Sequence, residues 1–119
     1  MDFQHKSLAE GRWAQMSLSE QMANIGSEIS RALNWKRKNN EKYCLKSVVR
    51  ALELISLTLD SITVKSHIKE LTRLREVIVD YFYGNNEFSS SEILWENYFN
   101  HFNFAARNRK DRYGQIQNR

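Results

Sequence analysis

The sequence reads as an all-α protein, an antiparallel up-and-down four-helix bundle with short loops. Three observations predict this. The 119 residues hold no proline and only four glycines, so few positions break a helix. Apolar residues recur every three or four positions in four separate segments, the spacing that gathers them on one helical face. Two of those segments open with a serine three residues before a glutamate. That is the capping-box spacing, in which the serine side chain satisfies a free backbone N–H and the glutamate reaches back.

The first helix starts near Leu18, after Ser17 and with Glu20 closing the box, and carries Met22, Ile25, Ile29, Ala32 and Leu33 inward. It ends near Trp35, before the turn WKRKNN. The second helix spans Glu41 to Asp60, with an apolar stripe of Leu45, Val48, Val49, Leu52, Ile55 and Leu59 that Leu54 and Leu57 broaden. The stretch LTLDSITV is rich in β-branched residues, but a lone short strand would have no partner, so it reads as a helix end and turn. A third helix runs from Ser66 to Tyr83 on Ile68, Leu71, Leu74, Ile78 and Phe82, closed by Gly84 as a left-handed cap. The fourth begins after FSSSE, capped by Ser89 with Glu92, places Trp95, Phe99, Phe102 and Ala106 on one side, and continues to Arg112. Tyr98 and Phe104 fall off that face, where a partner would meet them.

Helices of this size, each about 25 to 30 Å long at 1.5 Å per residue, with short connections, suit a single bundle domain. Residues 1–16 carry Trp13 and Met16 but little periodicity, which predicts an arm docked on the bundle or on a neighbouring chain. Residues 17–106 form the bundle, and residues 107–119 a basic tail continuing the fourth helix. With 41% hydrophobic residues the chain can bury a core without disulfides or metals. The single cysteine, Cys44, and three scattered histidines leave no ligand set for zinc. No cofactor is expected. No apolar run approaches the roughly 20 residues of a membrane span, and the start MDFQHKSLAEGRW lacks the form of a signal peptide, so a cytoplasmic protein without membrane contact is expected.

The charge is unevenly placed. Through Ala106, 13 Lys and Arg balance 13 Asp and Glu; from Arg107 on, Arg107, Arg109, Lys110, Arg112 and Arg119 face only Asp111. Cations concentrated this way can contact phosphate by a sequence-independent, salt-sensitive attraction, or can complement the end of a helix dipole. The turn Lys36-Arg37-Lys38 should lie at the bundle end shared with the third-to-fourth connection, and the tail should leave from the opposite end.

Within the first helix, Asn24, Glu28 and Arg31 are separated by four and three residues, so they form a narrow polar seam on one side. Its simplest content is an exposed Glu28–Arg31 pair; its functional content would be a partner contact. Gly26 interrupts the helix interior at a cost of about 1 kcal/mol relative to alanine, which predicts close approach of another helix or subunit there, beside Ala23 and Ser30. Arg50 with Glu53, and Arg73, Glu76 and Asp80 beside Tyr81, predict interhelical ionic contacts or a pocket lined by them.

The segment NIGSEISR followed by RALELISLTL resembles the small four-helix-bundle proteins encoded in intervening sequences of bacterial ribosomal RNA genes, a group that includes the accessory variability proteins of diversity-generating retroelements. In that family an Asn-Ile pair precedes a small residue, a Glu and a Gly, with an Arg further along the helix. Asn24, Ile25, Gly26 and Arg31 match, while Glu28 falls one residue later and the glycine earlier. The resemblance covers the first two helices. It implies ring-like oligomers and, in some members, nucleic-acid binding through basic surfaces. A second resemblance is to the nucleotide-associated helical domains abbreviated HEPN, many of them ribonucleases using an Arg, a polar residue and a later His. Arg107 and Asn108 match the start, Tyr113 stands where the His would be, and His101 precedes the Arg. The leading expectation is a non-enzymatic bundle that homo-oligomerises and binds RNA or DNA through Arg107, Arg109, Lys110 and Arg112. The alternatives are a HEPN-like domain or ribonuclease-type toxin component, and a structural partner of another protein.

Overall fold

A computed structural model describes the backbone of residues 11–117 and the side chains of residues 11–107. It holds four helices: α1, Leu18–Arg37; α2, Glu41–Ser61; α3, Lys65–Tyr83; and α4, Glu92–Gln117. Local chemistry sets several of their ends. The Ser17 hydroxyl accepts from the Glu20 N–H at 3.1 Å and so starts α1. Asn39 turns the chain with a left-handed φ of 58°, which asparagine tolerates, and the Asn40 side chain accepts from the Tyr43 N–H to start α2. Three residues, 62–64, then separate α2 from α3.

The α3–α4 connection departs from expectation in two ways. Gly84 does follow the last residue of α3, but its φ is −108°, so it is not a left-handed cap. Its lack of a side chain matters because a Cβ there would sit 3.0 Å from the Asp80 carbonyl oxygen. The left-handed positions are Asn86 and Ser89. Asp80 organises the loop, its carboxylate accepting from the N–H groups of Glu87 at 2.7 Å and Phe88 at 3.1 Å. Because Ser89 is occupied in that turn, Ser91 caps α4 instead, accepting from the Leu94 N–H.

All five inward positions expected in α1 are buried. The buried side of α2 is rotated from the expected stripe: Cys44, Val48, Ala51, Leu54, Ile55 and Thr58 face the core, while Val49 is 38% exposed. Leu54 is central rather than a broadening of the stripe. Leu71, Leu74 and Ile78 of α3 and Trp95 and Phe99 of α4 complete the interior, and Ile68 is 37% exposed. The segment before α1 docks on its own bundle. Trp13, in a 3-10 turn at Trp13–Gln15, is buried, its indole N–H donating to the Thr58 hydroxyl at 2.9 Å while Gln21 donates to the Trp13 carbonyl.

Packing around the bundle is unequal. α1 lies most closely against α2 and next against α4, α3 leans on α2, and α3 and α4 approach less closely than these pairs. Arg37 of α1 meets Glu92 at 2.9 Å, Gly26 lies against Phe99, and Leu18 and Met22 share a small cavity with Phe102. The two helices therefore run antiparallel, and Phe102 already reaches the level at which α1 begins. α4 nevertheless stays helical to Gln117, five residues beyond the expected end at Arg112. The stretch 107–117 projects past the start of α1 by about 16 Å at 1.5 Å per residue. The Lys36-Arg37-Lys38 turn sits with the α3–α4 connection, since Lys36 Nζ lies 4.1 Å from the centre of the Tyr81 ring.

Candidate functional site

The polar seam of α1 is not one continuous surface. Asn24 is exposed and its amide donates to the Glu20 carbonyl of its own helix at 2.8 Å. Arg31 donates to Glu28 Oε1 at 2.7 Å, so those two residues do meet. But Glu28 is only 5% exposed, which corrects the expectation of a solvated pair on an open face. Its second oxygen, Oε2, is buried without a hydrogen-bond partner. Burying a carboxylate oxygen unpaired is costly, so Glu28 marks a point of strain in the α1 interior.

Gly26 faces α4. A Cβ built on it would lie 2.7 Å from Cγ and Cδ1 of Phe99 and 2.8 Å from its Cβ. The aromatic ring occupies the space a side chain would need, so the element that approaches this glycine is the protein's own fourth helix. Beside the contact, Ser27 and Ser30 of α1 and Asn100 and Asn103 of α4 line a cleft of about 250 Å³ together with Phe99 and Trp95.

A more apolar cleft of about 240 Å³ opens between α3 and α4, walled by Leu74, Val77, Leu94, Trp95 and Tyr98, with Glu70 and Arg73 at its edge. The Tyr98 hydroxyl bridges it, donating to Glu70 at 2.8 Å. Burial, then the hydrogen bond to Glu70 and its negative charge, holds the Tyr98 phenol well above the usual tyrosine range. Arg73 lies over Phe88, 5.3 Å from the ring centre, and Asp80 serves the loop described above, so the expected ionic cluster of α3 is divided between two tasks. At the same end of the bundle as the α3–α4 connection, Cys44 is buried beside Lys36 and Glu41. Burial raises its thiol pKa, Lys36 partly offsets this, and Glu41 adds to it, which leaves a protonated, unreactive thiol.

Arg107 is exposed on α4. Arg109, Lys110 and Arg112 follow it on helical backbone, but their side chains, with those of Asn108 and Tyr113, lie outside the described residues, as do residues 1–10 of the expected arm. His101 packs edge-on against Phe102 with ring centres 5.5 Å apart. Among the described residues no three of His, Cys, Asp and Glu come together as a metal site, and no helix is long and apolar enough to cross a membrane. Sequence reasoning does not reveal the Trp13–Thr58 and Tyr98–Glu70 bonds, because each joins residues distant in the chain. Of the two aromatics expected off the inward face, Phe104 is 64% exposed while Tyr98 is tied to Glu70 of α3; Ile93, 60% exposed on the outer face of α4, is not singled out by the sequence. No family model, curated protein or solved structure gives a significant match to the chain.

Proposed function

We propose that the chain is a non-enzymatic, self-associating helical bundle of the cytoplasm that binds nucleic acid through the basic extension of α4. The observation that carries this reading is the helix itself: α4 continues to Gln117, past the start of α1. The segment holding Arg107, Arg109, Lys110 and Arg112 is thus presented away from the neutral body. Cations on a projecting helix reach phosphates without the bundle having to move, and the contact is independent of base sequence. Association of several chains multiplies a weak contact by raising its effective concentration. In this reading Gly26 and Phe99 lock α4 against α1, and the Glu28–Arg31 pair fixes the register of α1.

The test is binding of labelled single-stranded RNA and of a DNA duplex across a salt series, by the whole chain and by a version ending at Ala106. Steeply salt-dependent binding by the whole chain, absent from the shortened one, supports the proposal. Absence of binding by the whole chain at low salt removes nucleic acid as the ligand. Cleavage of the RNA during the experiment would instead favour the ribonuclease-type alternative.

A further inference from the structure

The outer face of α4 carries an arrangement that the bundle does not use. Ile93, Asn97, Asn100 and Phe104 are all exposed, and they are separated by four, three and four residues. That spacing lays them in one stripe along a helix. It also reads the same in both directions. If a second α4 lies antiparallel against this stripe, Ile93 comes level with Phe104 of the second copy, and Asn97 with Asn100 of the second copy. Each of these contacts occurs twice, as a two-fold interface requires.

The chemistry agrees with the geometry. The two apolar pairs close the ends of the contact, where large exposed side chains otherwise face water. The central asparagines carry both donors and an acceptor, so one amide can satisfy another. The charges on α4 are segregated, with Glu92 and Glu96 near its start and Arg107 beyond the stripe. In the antiparallel register Arg107 comes within about one helical turn of Glu92 of the second copy, on the same flank of the contact. Parallel pairing would instead bring like charges to the same height, Glu92 with Glu92 and Arg107 with Arg107, and would lose this complementarity.

We infer that two copies of this chain pair through an antiparallel α4–α4 contact centred between Asn97 and Asn100. The inference deepens the self-association in the proposed function by naming its surface, and it needs no nucleic acid. The stripe spans about 16 Å of helix, so the buried area falls at the low end for specific interfaces, and the dimer is weak and concentration-dependent.

Cysteine substitution reads the register directly. Chains carrying Ile93→Cys mixed with chains carrying Phe104→Cys should form disulfide-linked dimers under mild oxidation. Either variant alone should link far more slowly, because its two cysteines lie about 16 Å apart along the axis. The native Cys44 is buried and serves as the background. In sedimentation equilibrium Phe104→Glu, at an exposed site that does not threaten folding, should raise the dimer Kd at least tenfold. A chain that stays monomeric at all concentrations, or cysteine variants that link equally well alone and mixed, would overturn the inference. Nucleic-acid binding by a strictly monomeric chain would sink the pairing while leaving the basic-extension reading intact.

Discussion

Substituting alanine for Gly26 sets two effects of opposite sign against each other, and the structure decides between them. Alanine in a helix interior is favoured over glycine by about 1 kcal/mol. The new Cβ, however, would meet Phe99 Cγ and Cδ1 at 2.7 Å and its Cβ at 2.8 Å, where carbon atoms rest at about 3.5 to 4.0 Å. Turning the buried Phe99 ring aside would not relieve the contact with its Cβ, which is fixed to the α4 backbone, so the clash transmits to that helix. Overpacking of this kind costs about 1 to 3 kcal/mol, and a rigid partner places it near the upper end. Gly26→Ala should therefore destabilise the protein by about 2 kcal/mol, lowering Tm by about 8 °C for a domain of this size. Urea and thermal unfolding followed by circular dichroism measure this, and a double-mutant cycle isolates the cause. In a Phe99→Ala background, which removes the ring but keeps the Cβ contact at 2.8 Å, the same substitution should cost less than it does in the native protein. An alanine that stabilises the native protein, or costs the same in both backgrounds, would refute the reasoning that Phe99 requires the glycine.

Other substitutions have equally definite outcomes. Thr58→Val leaves the buried indole N–H of Trp13 without its acceptor and should cost about 1 to 3 kcal/mol in chemical denaturation; Trp13→Ala should cost about 3 to 5 kcal/mol, showing that the segment before α1 is part of the core. Glu28→Met removes a buried carboxylate with an unpaired oxygen and should be neutral or stabilising, whereas Arg31→Ala, which strips that carboxylate of its cation, should destabilise; the order of their urea midpoints checks this. Alkaline pH should weaken the fold. Tyr98, Tyr83 and Cys44 all have raised folded pKa values, so the stability they contribute is complete below their unfolded values, about 8.5 for cysteine and 10 for tyrosine. It is lost as pH rises above those values toward the folded ones. Tyr98→Phe should flatten that loss between pH 9 and about 11.5 in a Tm-against-pH series; an unchanged slope would show that burial and the Glu70 bond do not together hold the phenol protonated.

The helices are legible in the sequence because their signals are local. Ser17 with Glu20, the four apolar stretches and the absence of proline place all four, and the five apolar residues that α1 turns inward follow its periodicity. α2 shows where local reading ends. It is apolar on several sides, so the choice between Val49 and Leu54 for the core belongs to its neighbours α1 and α3. The hydroxyls of Ser47 and Thr58 are buried because they bond back to the Tyr43 and Leu54 carbonyls of their own helix, which a hydropathy pattern does not register. Residue type alone assigns the left-handed turn to Gly84, yet Asn86 and Ser89 adopt it once the Asp80 carboxylate gathers the loop. At the candidate site the oddity of Gly26 is visible in the sequence while its cause, Phe99, is not, since helix contacts distant in the chain leave no mark in spacing. The burial of Glu28 is hidden for the same reason.

The most direct test of the functional account leaves the fold untouched. Arg107, Arg109, Lys110 and Arg112 are replaced together by glutamine in the full-length chain, and binding to single-stranded RNA is followed by fluorescence anisotropy from low to high salt. If the α4 extension meets the phosphates, affinity at low salt falls steeply, and the slope of log K against log salt shrinks by about 0.7 for each phosphate that is no longer neutralised. If the variant binds as tightly as the native chain with the same slope, phosphate is met elsewhere or not at all, and the extension of α4 is not the functional element.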